Sequence, residues 1–334
     1  MTEKIKAKIK VCLYLFLVCF IKNEYLSIFL RNANIYHFKK SIFKYPLLNK
    51  IKLNYSSKCG ELFKYKKNNK RDLVMFAYNS SINDFNSERS LLIYNVLDSI
   101  KKNIPDAKII CFVPNNSKIN LVIEALQKNN VSIIKERDFQ NMCLVSSRFL
   151  YEFKYLKRYI NYFDRVIHAD LTDIFFLSDV FKTLKPNELI MNKECGNNSF
   201  YGDKGNFLLN NNPNTIWFNR SFGNNKTLVN FLKRINPIII NAGLIMGDSK
   251  EYLKFLDIIK ANINYTNALD YGYDQTLINV LYYTGKFNNI NIKFDFCTQR
   301  SCFTPKLIFN KEDKKLYFKT GCSPVLIHKS YPSN

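Results

Sequence analysis

The chain is poor in several residue types, and each shortage excludes an architecture. Its 334 residues include one Trp, ten Gly and three His, with no glycine-rich tract. This composition excludes collagen-like and low-complexity architectures. None of the nine cysteines forms a C-x-x-C pair, so the sequence does not predict a zinc site.

Several motifs of common catalytic and nucleotide-binding sites are also missing. There is no G-x-x-x-x-G-K-[ST] and no G-x-G-x-x-G, so the phosphate loop and the dinucleotide fingerprint are both absent. The chain also lacks the G-x-S-x-G motif of serine hydrolases and the H-E-x-x-H motif of zinc metalloproteases. These four classes of site therefore lack their signatures in this chain.

The chain does contain abundant apolar residues and a large excess of positive charge. Hydrophobic residues make up 47% and aromatic residues 15%, enough for a sizeable core, so intrinsic disorder is not expected. The length fits one large α/β domain with appendages. The formal net charge is +23. It favours anionic ligands such as nucleotides, phosphates, acidic glycans, lipid headgroups or nucleic acid, but it equally fits solvated lysines spread along the chain.

The N-terminus resembles a secretory targeting segment. Lysines at positions 4, 6, 8 and 10 precede an apolar run at 11–21, and no small-x-small cleavage site is evident. Residues 1–30 are therefore predicted to be an uncleaved signal-anchor, with a cleaved signal peptide or a buried first helix as alternatives. The predicted localisation is a single-pass type II membrane protein of the endoplasmic reticulum or Golgi, or a secreted protein if the leader is removed.

Cysteines and sequons add to this interpretation of the leader. Seven cysteines lie beyond the leader, so an oxidised domain would keep at least one free or intermolecular thiol. Cys111, inside an apolar run, is predicted to be a buried core thiol. Several Asn-x-Ser/Thr sequons are compatible with a secreted glycoprotein, although an Asn-rich chain contains many by chance.

Periodicity divides the rest of the chain into two parts. Residues 31–71 are basic and irregular and are predicted to be a stem or linker, and 72–334 is predicted to be one domain. Apolar runs predict strands at 73–77, 107–113 and 131–134, with helical stretches between them. This alternation predicts an α/β fold with a mostly parallel, Rossmann-like sheet flanked by helices.

A further helix and strand lead to a pair of acidic residues. The helix is predicted to be capped by Ser146 or Ser147 and to precede a fourth strand at 165–169, which is followed by Asp170 and Asp173. Ligands of open parallel sheets collect beyond the carboxyl ends of strands. Two carboxylates there suit a hard divalent cation, Mn²⁺ or Mg²⁺, that keeps positions free for a diphosphate. The alternative is an ordinary strand-end acid followed by a turn cap.

The stretch 148–181, with its D-L-T-D motif, resembles the core of GT-A-fold glycosyltransferases. In that family a helix and a strand lead into an Asp-x-Asp motif that holds a metal–nucleotide-sugar complex, and this chain has one extra residue in the motif. The resemblance implies a GT-A-like domain in which Asp170 lies near the ribose and the metal, with Asp173 on the metal.

Three later segments extend the resemblance. Asn241, Ala242 and Gly243 match the Asn-x-Gly segment that approaches the sugars, although a turn or bulge without ligand is the alternative. Asp274 and Gln275 resemble the acidic D-Q segment beside the anomeric carbon in retaining enzymes, or else form an ordinary helix N-terminus. His328, at the end of a predicted strand, matches a further metal ligand of the family, although an isolated histidine usually pairs with the backbone.

The resemblance implies a metal-dependent transfer of sugar from a nucleotide-diphospho-sugar, with a UDP-sugar as the expected donor, to a glycan, protein or lipid acceptor. Retention of anomeric configuration is favoured by the D-Q segment alone. Five residues are further candidates for donor binding. Ala77, Tyr78 and Asn79 follow the first strand, with Tyr78 stacking on the base, and Arg148 and Lys157 could contact the phosphates or the base, or be solvated helix charges.

Three competing functions remain open at this point. A catalytically inactive glycan-binding or scaffold protein of the same fold is favoured by the departure from the Asp-x-Asp pattern. A basic nucleic-acid-binding protein fits the charge, but the lysines are scattered and no recognised motif occurs, so no nucleic-acid partner is expected. A nucleotidyltransferase would need a glycine-rich basic loop after the first strand, and this loop has no Gly, Lys or Arg.

Overall fold

The computed structural model describes residues 51–78, 87–115, 117, 121–137, 142–172, 174–194, 213–235, 237–295, 300–303, 308–310 and 312–328. They form an α/β fold with a mostly parallel central sheet flanked by helices, which confirms the predicted class. The predicted signal-anchor, 1–30, lies outside the described residues. Within those residues, no helix combines the length and the apolar character that a membrane span requires.

Strands and helices alternate through much of the chain. The strands are β1 (Lys52–Leu53), β2 (Asp72–Ala77), β3 (Lys108–Pro114), β4 (Ser132–Glu136), β5 (Arg165–Ala169), β6 (Ile174–Phe176), β7 (Leu189–Lys193), β8 (Ile240–Asp248), β9 (Ile292–Asp295), β10 (Ser301–Phe303), β11 (Ile308–Asn310), β12 (Lys315–Tyr317) and β13 (Leu326–His328). The α-helices are α1 (Ser87–Asn103), α2 (Leu121–Lys128), α3 (Leu144–Tyr159), α4 (Pro213–Phe222), α5 (Lys226–Ile235), α6 (Ser249–Asn262) and α7 (Tyr273–Tyr283).

The central sheet has the strand order β4-β3-β2-β5-β8-β7-β9. Strands β4, β3, β2 and β5 are parallel, β8 is antiparallel to both β5 and β7, and β9 is parallel to β7. The carboxyl ends of β5 and β7 and the amino end of β8 consequently lie at one edge of the sheet. Strand direction reverses at this edge, where open α/β sheets commonly bind ligands.

The central strands are apolar because helices cover both faces of the sheet. Along β2, Leu73 and Met75 join one core cluster, whereas Val74 and Phe76 join the other, as the two-residue period of a strand requires. Helices α1 and α2 pack on one face, and α3, α6 and α7 pack on the other. Full burial of each such side chain contributes about 1.5–3 kcal/mol, so the sheet is a rigid base for the residues at its edge.

A small second sheet carries the C-terminal strand to this edge. Strand β13 pairs antiparallel with β6, with His328 opposite Ile174, and parallel with β10. Because β6 begins only four residues after Asp170, this register brings the end of β13 close to the end of β5. The strand predicted to end at His328 is confirmed, and its partner strand explains where the histidine lies.

The domain begins earlier in the chain than predicted. Within the segment assigned to the stem, β1 pairs with β12, and Cys59 forms a disulfide with Cys322. The buried Asn68 donates from its backbone and side chain to Asp179. Residues 51–71 are therefore part of the domain, and the boundary at 72 was placed too late because a basic composition does not show that a segment is unpacked.

Helix positions agree with the periodicity more closely than helix caps do. Helix α3 begins at Leu144, so the predicted caps Ser146 and Ser147 lie inside its first turn. The residue at the cap position is Cys143, whose side chain makes no cap hydrogen bond. At α6 the N-cap is Asp248, whose side chain accepts from the backbone N–H groups of Lys250 and Glu251. The core thiol is confirmed, because Cys111 is free and fully buried in β3.

Candidate active site

Asp170 lies at the centre of the candidate site. It directly follows β5, and its backbone N–H donates to the Gly243 carbonyl at 2.9 Å. Arg148 Nη1 donates to Asp170 Oδ1 at 2.5 Å, and His328 Nε2 lies 3.5 Å from Oδ2. The two carboxylate oxygens therefore face a guanidinium and an imidazole. With 22% of its side chain exposed, Asp170 is accessible from the cleft.

Gly243 allows Asp170 and His328 to approach each other. A Cβ on this residue would lie 2.3 Å from Asp170 Oδ2 and 2.8 Å from His328 Cε1. The pairing of β7 with β8 shifts register here, from Met191 opposite Ile245 to Asn192 opposite Asn241, so the backbone leaves its regular course. Lack of space, rather than a left-handed φ, is what requires glycine at this position.

Arg148 joins three parts of the site. This buried guanidinium donates to Asp170, to the Ala242 carbonyl at 3.2 Å and to Asp274 Oδ2 at 3.1 Å. Burial opposes its positive charge, but the carboxylates of Asp170 and Asp274 outweigh burial, so the pKa of Arg148 is raised. The side chain predicted to contact phosphates is therefore engaged by protein acceptors, and it fixes the orientation of Asp170.

Asp274 lies in the first turn of α7. The residue before that helix, Gly272, has a φ of 87°, which turns the chain sharply into the first turn. Burial raises the pKa of the Asp274 carboxyl, although Arg148 opposes the shift. The helix N-terminus and Arg148 both favour a negative charge here, so the buried carboxyl retains strong partners.

A second group of polar residues surrounds Gln275. Its Oε1 accepts from Asn241 Nδ2 at 3.1 Å and from the Ala242 N–H at 3.0 Å. Its Nε2 donates to Glu194 Oε1 at 3.0 Å and to Asn214 Oδ1 at 2.6 Å. All four bonding positions of this amide are used by protein, so Gln275 holds its neighbours in place.

Glu194 is a cleft residue that the sequence patterns alone did not single out. It is buried, it immediately follows β7, and its Oε1 accepts from Asn241 Nδ2 at 3.0 Å. Because β7 is parallel to β5, Glu194 and Asp170 follow strand ends at the same edge of the sheet. The sequence signal was weaker than at Asp170, because Asn192 and Lys193 separate Glu194 from the apolar run at 189–191.

A buried layer supports the floor of the cleft. Tyr252 donates a short hydrogen bond to Glu152, whose carboxylate lies 2.8 Å from His168 Nδ1. His168 Nε2 lies 3.0 Å from the Ala242 carbonyl, so both ring nitrogens face oxygen acceptors. The Ala242 carbonyl is consequently contacted by both His168 and Arg148, and these two contacts fix the backbone next to Gly243.

Asp170 and His328 have the donor chemistry of a divalent-cation site. Donor atoms bound side by side on such a cation, each at about 2.1 Å, are about 3.0–3.6 Å apart, and Asp170 Oδ2 and His328 Nε2 are 3.5 Å apart. Asp173, the third predicted ligand, lies outside the described residues. Among the residues that the structure does describe, no group of three or more His, Cys, Asp or Glu is arranged to hold a metal.

Three predicted donor-binding residues, Ala77, Tyr78 and Lys157, do not line this cleft. Ala77 and Tyr78 are at the end of β2 and do not line it, and the Tyr78 ring is packed in the core. Asn79 lies outside the described residues. Lys157 is exposed about 13 Å further along α3 than Arg148, with its Nζ 5.5 Å from the centre of the Phe153 ring.

Aromatic residues form one side of the cleft. Trp217 of α4 and Tyr271, just before α7, meet edge to face with ring centroids 5.5 Å apart. The cleft is lined by Val145, Arg148, Asp170, Glu194, Trp217, Asn241, Ala242, Gly243, Tyr271, Gly272, Asp274 and Gln275. It thus combines carboxylates, amides and two aromatic rings.

Comparison with known proteins adds no family to this description. No protein-family model matches the chain. A search of curated proteins finds no match either. Its function is therefore inferred from the geometry of the cleft and from the order of its sequence motifs.

Proposed function

We propose that the chain is a divalent-metal-dependent glycosyltransferase that moves a sugar from a UDP-sugar to a hydroxyl of a glycan, protein or lipid acceptor. The observation that carries the proposal is the approach of His328 Nε2 to within 3.5 Å of Asp170 Oδ2. His328 is the last residue of β13, and Asp170 directly follows β5. Because residue 243 is a glycine, no side chain at that position keeps the two apart.

The position of the cleft supports this proposal. It lies where the parallel strands end and β8 runs in the opposite direction, the place at which open sheets bind nucleotides. The elements also follow the order of the GT-A resemblance: a strand ending in Asp170, the Asn241–Gly243 segment, the Asp274–Gln275 helix start and a C-terminal histidine. Four separate stretches of sequence thus contribute to one edge of the sheet.

The charge of the cleft explains why a cation is part of the proposal. Among the described residues that line it, three carboxyl groups, those of Asp170, Glu194 and Asp274, face one guanidinium, that of Arg148. Such a surface repels a diphosphate, because like charges brought together in a partly buried site are unfavourable. We propose Asp170 and His328, with Asp173, as the residues that hold Mn²⁺ or Mg²⁺.

The protein residues have distinct roles in this proposal. When bound, the cation supplies the charge that neutralises the departing diphosphate. Arg148 holds Asp170 Oδ1 and so turns Oδ2 towards His328. Gln275 holds Asn241 and Glu194 in place through its hydrogen bonds, and in this proposal the Glu194 carboxylate would accept a hydrogen bond from a sugar hydroxyl group. Retention of configuration remains part of the proposal and can be read from the anomeric proton of the product.

The proposed compartment is the secretory pathway, with the N-terminal segment as a type II membrane anchor. The Cys59–Cys322 disulfide supports this part of the proposal, because disulfides persist in oxidising compartments. The disulfide joins the first described segment to the C-terminal part of the domain. It would be lost in a reducing cytosol, and the segment around β1 would then be held by its pairing with β12 and by the hydrogen bonds of Asn54 and Tyr55 alone among the described polar contacts.

The direct test is turnover of UDP-sugars by the full-length protein. UDP release is measured for a panel of donors with Mn²⁺, with Mg²⁺ and with EDTA, in the wild type, Asp170→Asn, His328→Ala and the exposed control Lys157→Ala. We expect metal-dependent release that both cleft variants lose and the control retains. Equal release by all four proteins contradicts the proposal, and saccharide binding without release favours the inactive glycan-binding alternative.

A further inference from the structure

We infer that Trp217 and Tyr271 form a stacking platform for a pyranose ring of the acceptor, which makes the acceptor a glycan or glycoconjugate. The inference rests on the proposed function, because it assigns the acceptor of that reaction. Trp217 comes from α4 and Tyr271 from the turn before α7, and both line the same cleft as Asp170, Glu194 and Asp274. The two rings meet at an interplanar angle of 77°.

The indole ring is held in place by the backbone beneath it. A Cβ at Gly272 would lie 2.1 Å from Trp217 Cδ2 and 2.5 Å from Cγ, so only glycine admits the ring at this position. The φ of Gly272 is 87°, which also favours glycine. Space and backbone conformation therefore both select glycine under the platform, and the ring is fixed before any ligand arrives.

The helix that carries Trp217 is connected to the polar network of the cleft. Asn214, three residues earlier on α4, accepts from Gln275 Nε2 at 2.6 Å. Gln275 in turn donates to Glu194 and accepts from Asn241. The platform and the cleft carboxylates are thus parts of one hydrogen-bonded unit, which keeps the rings at a fixed distance from the polar groups.

The exposure and the surroundings of the rings suit a sugar. Tyr271 is 58% exposed at the mouth of the cleft, so its ring is accessible to a ligand. A pyranose presents a C–H face, which packs on the negative face of an aromatic ring, and hydroxyl edges, which need acceptors. Glu194 and Asp274 lie in the same cleft and supply carboxylate oxygens for those hydroxyl groups.

An aromatic platform could also stack on the base of the nucleotide, but the position of the rings favours the acceptor. Trp217 and Tyr271 are beside α7, which packs on β8, in the part of the fold beyond the strand reversal. The parallel half, β2 to β5, is where a nucleotide is expected to bind. The neighbouring Glu194 and Asp274 also disfavour phosphate, whereas they accept hydrogen bonds from neutral sugars.

The chain offers a selective reporter for this platform. Trp217 is its one tryptophan, so intrinsic indole fluorescence of the full-length protein comes from this ring alone. We titrate lactose, cellobiose, chitobiose and mannobiose, with sorbitol as a polyol that lacks a ring face. The inference predicts a saturable change in emission with at least one disaccharide and none with sorbitol. Absence of a change with every disaccharide overturns it.

Two variants locate the binding site. Disaccharide binding by Tyr271→Ala is measured by the fluorescence of Trp217. The substitution is expected to weaken binding by about three- to tenfold, the effect of losing one aromatic contact. Tyr162→Ala removes a ring that is 66% exposed and does not line the cleft, and this variant is expected to bind as the wild type does. Equal affinity in the Tyr271 variant and the wild type overturns the platform.

A competition experiment separates this inference from the proposed function. Mn²⁺–UDP is titrated in the presence and absence of the best disaccharide. Independent binding of the two ligands supports both assignments. Displacement of the disaccharide by Mn²⁺–UDP overturns the acceptor role, because it assigns the two rings to the uracil base. If Mn²⁺–UDP does not bind but disaccharides still do, the platform stands and the transferase proposal fails. If only Mn²⁺–UDP binds, the platform fails alone.

Discussion

Gly243 lies directly against the carboxylate of Asp170: a methyl group in place of its hydrogen would be 2.3 Å from Oδ2. The same methyl group would meet the His328 ring at 2.8 Å. The two proposed metal donors therefore share a space that exists only because residue 243 has no side chain. This relationship makes the site sensitive to the smallest possible substitution.

Gly243→Ala is predicted to separate Asp170 from His328. Since the residue has no left-handed φ, the substitution adds crowding without backbone strain, at a cost of about 1–3 kcal/mol in stability. Mn²⁺ affinity is expected to fall by at least about tenfold, which a calorimetric titration measures. Gly321→Ala is the control, because it strains a φ of 83° with no atom within 4 Å of the new Cβ. Unchanged Mn²⁺ affinity in Gly243→Ala contradicts the shared site.

Arg148 is predicted to stabilise the domain by compensating two carboxylates. In Arg148→Met, Asp170 and Asp274 lose their common partner, and the free energy of unfolding is expected to fall by about 3–5 kcal/mol. Arg148→Lys keeps the charge but cannot reach three acceptors at once, so its loss should be intermediate. Urea denaturation of the three proteins gives the ranking, and equal stability of Arg148→Met and the wild type rules out this role.

Tyr252 is predicted to limit stability at alkaline pH. Burial, together with the Glu152 carboxylate, raises its pKa well above 10 in the folded protein. Above pH 10 the unfolded chain releases this proton and the folded protein keeps it, so stability is present below that pH and falls as the pH rises. The contribution is about 1.4 kcal/mol per pH unit.

Tyr252→Phe tests this contribution. The variant loses a hydrogen bond to a carboxylate, worth about 1.5–3 kcal/mol at neutral pH. Because it has no phenol to ionise, its unfolding free energy should decline less steeply between pH 10 and pH 11.5. Urea denaturation across this range measures both slopes, and identical slopes in the two proteins contradict the assignment.

The Cys59–Cys322 disulfide is predicted to stabilise the domain by about 2–5 kcal/mol, because it closes a very long segment of chain. Reductant should lower the melting temperature of the wild type and of Cys143→Ser, which lacks one of the described free thiols. The double variant C59S/C322S should melt at the lower temperature with or without reductant. A wild-type melting temperature that does not respond to reduction contradicts the prediction.

Local patterns were sufficient to predict the parallel half of the sheet. The apolar runs at 73–77, 107–113, 131–134 and 165–169 became β2 to β5 because buried parallel strands are apolar on both faces. Cap positions were less predictable, as Cys143 shows. The packing of residues 51–71 was missed because it depends on a disulfide and a strand partner more than 250 residues away. No local sequence signal indicates such a partner.

The candidate active site could be predicted only in part, because it too depends on pairing between distant segments of the chain. Asp170 follows an apolar strand and could be identified from that position, whereas Glu194 was overlooked because Asn192 and Lys193 separate it from the apolar run at 189–191. The proximity of His328 to Asp170 depends on the pairing of β13 with β6, which the sequence alone does not specify. Burial also changed two expected roles, since Arg148 is engaged by protein carboxylates and Tyr78 is packed in the core.

Asp170 and His328 are proposed to hold one divalent cation between them. Electron paramagnetic resonance of free Mn²⁺, titrated with the full-length protein, measures this binding without reference to turnover. We expect one saturable site in the wild type and in Lys157→Ala, with affinity reduced more than about tenfold in Asp170→Asn and in His328→Ala. Equal Mn²⁺ binding by all four proteins, or none by the wild type, would contradict it.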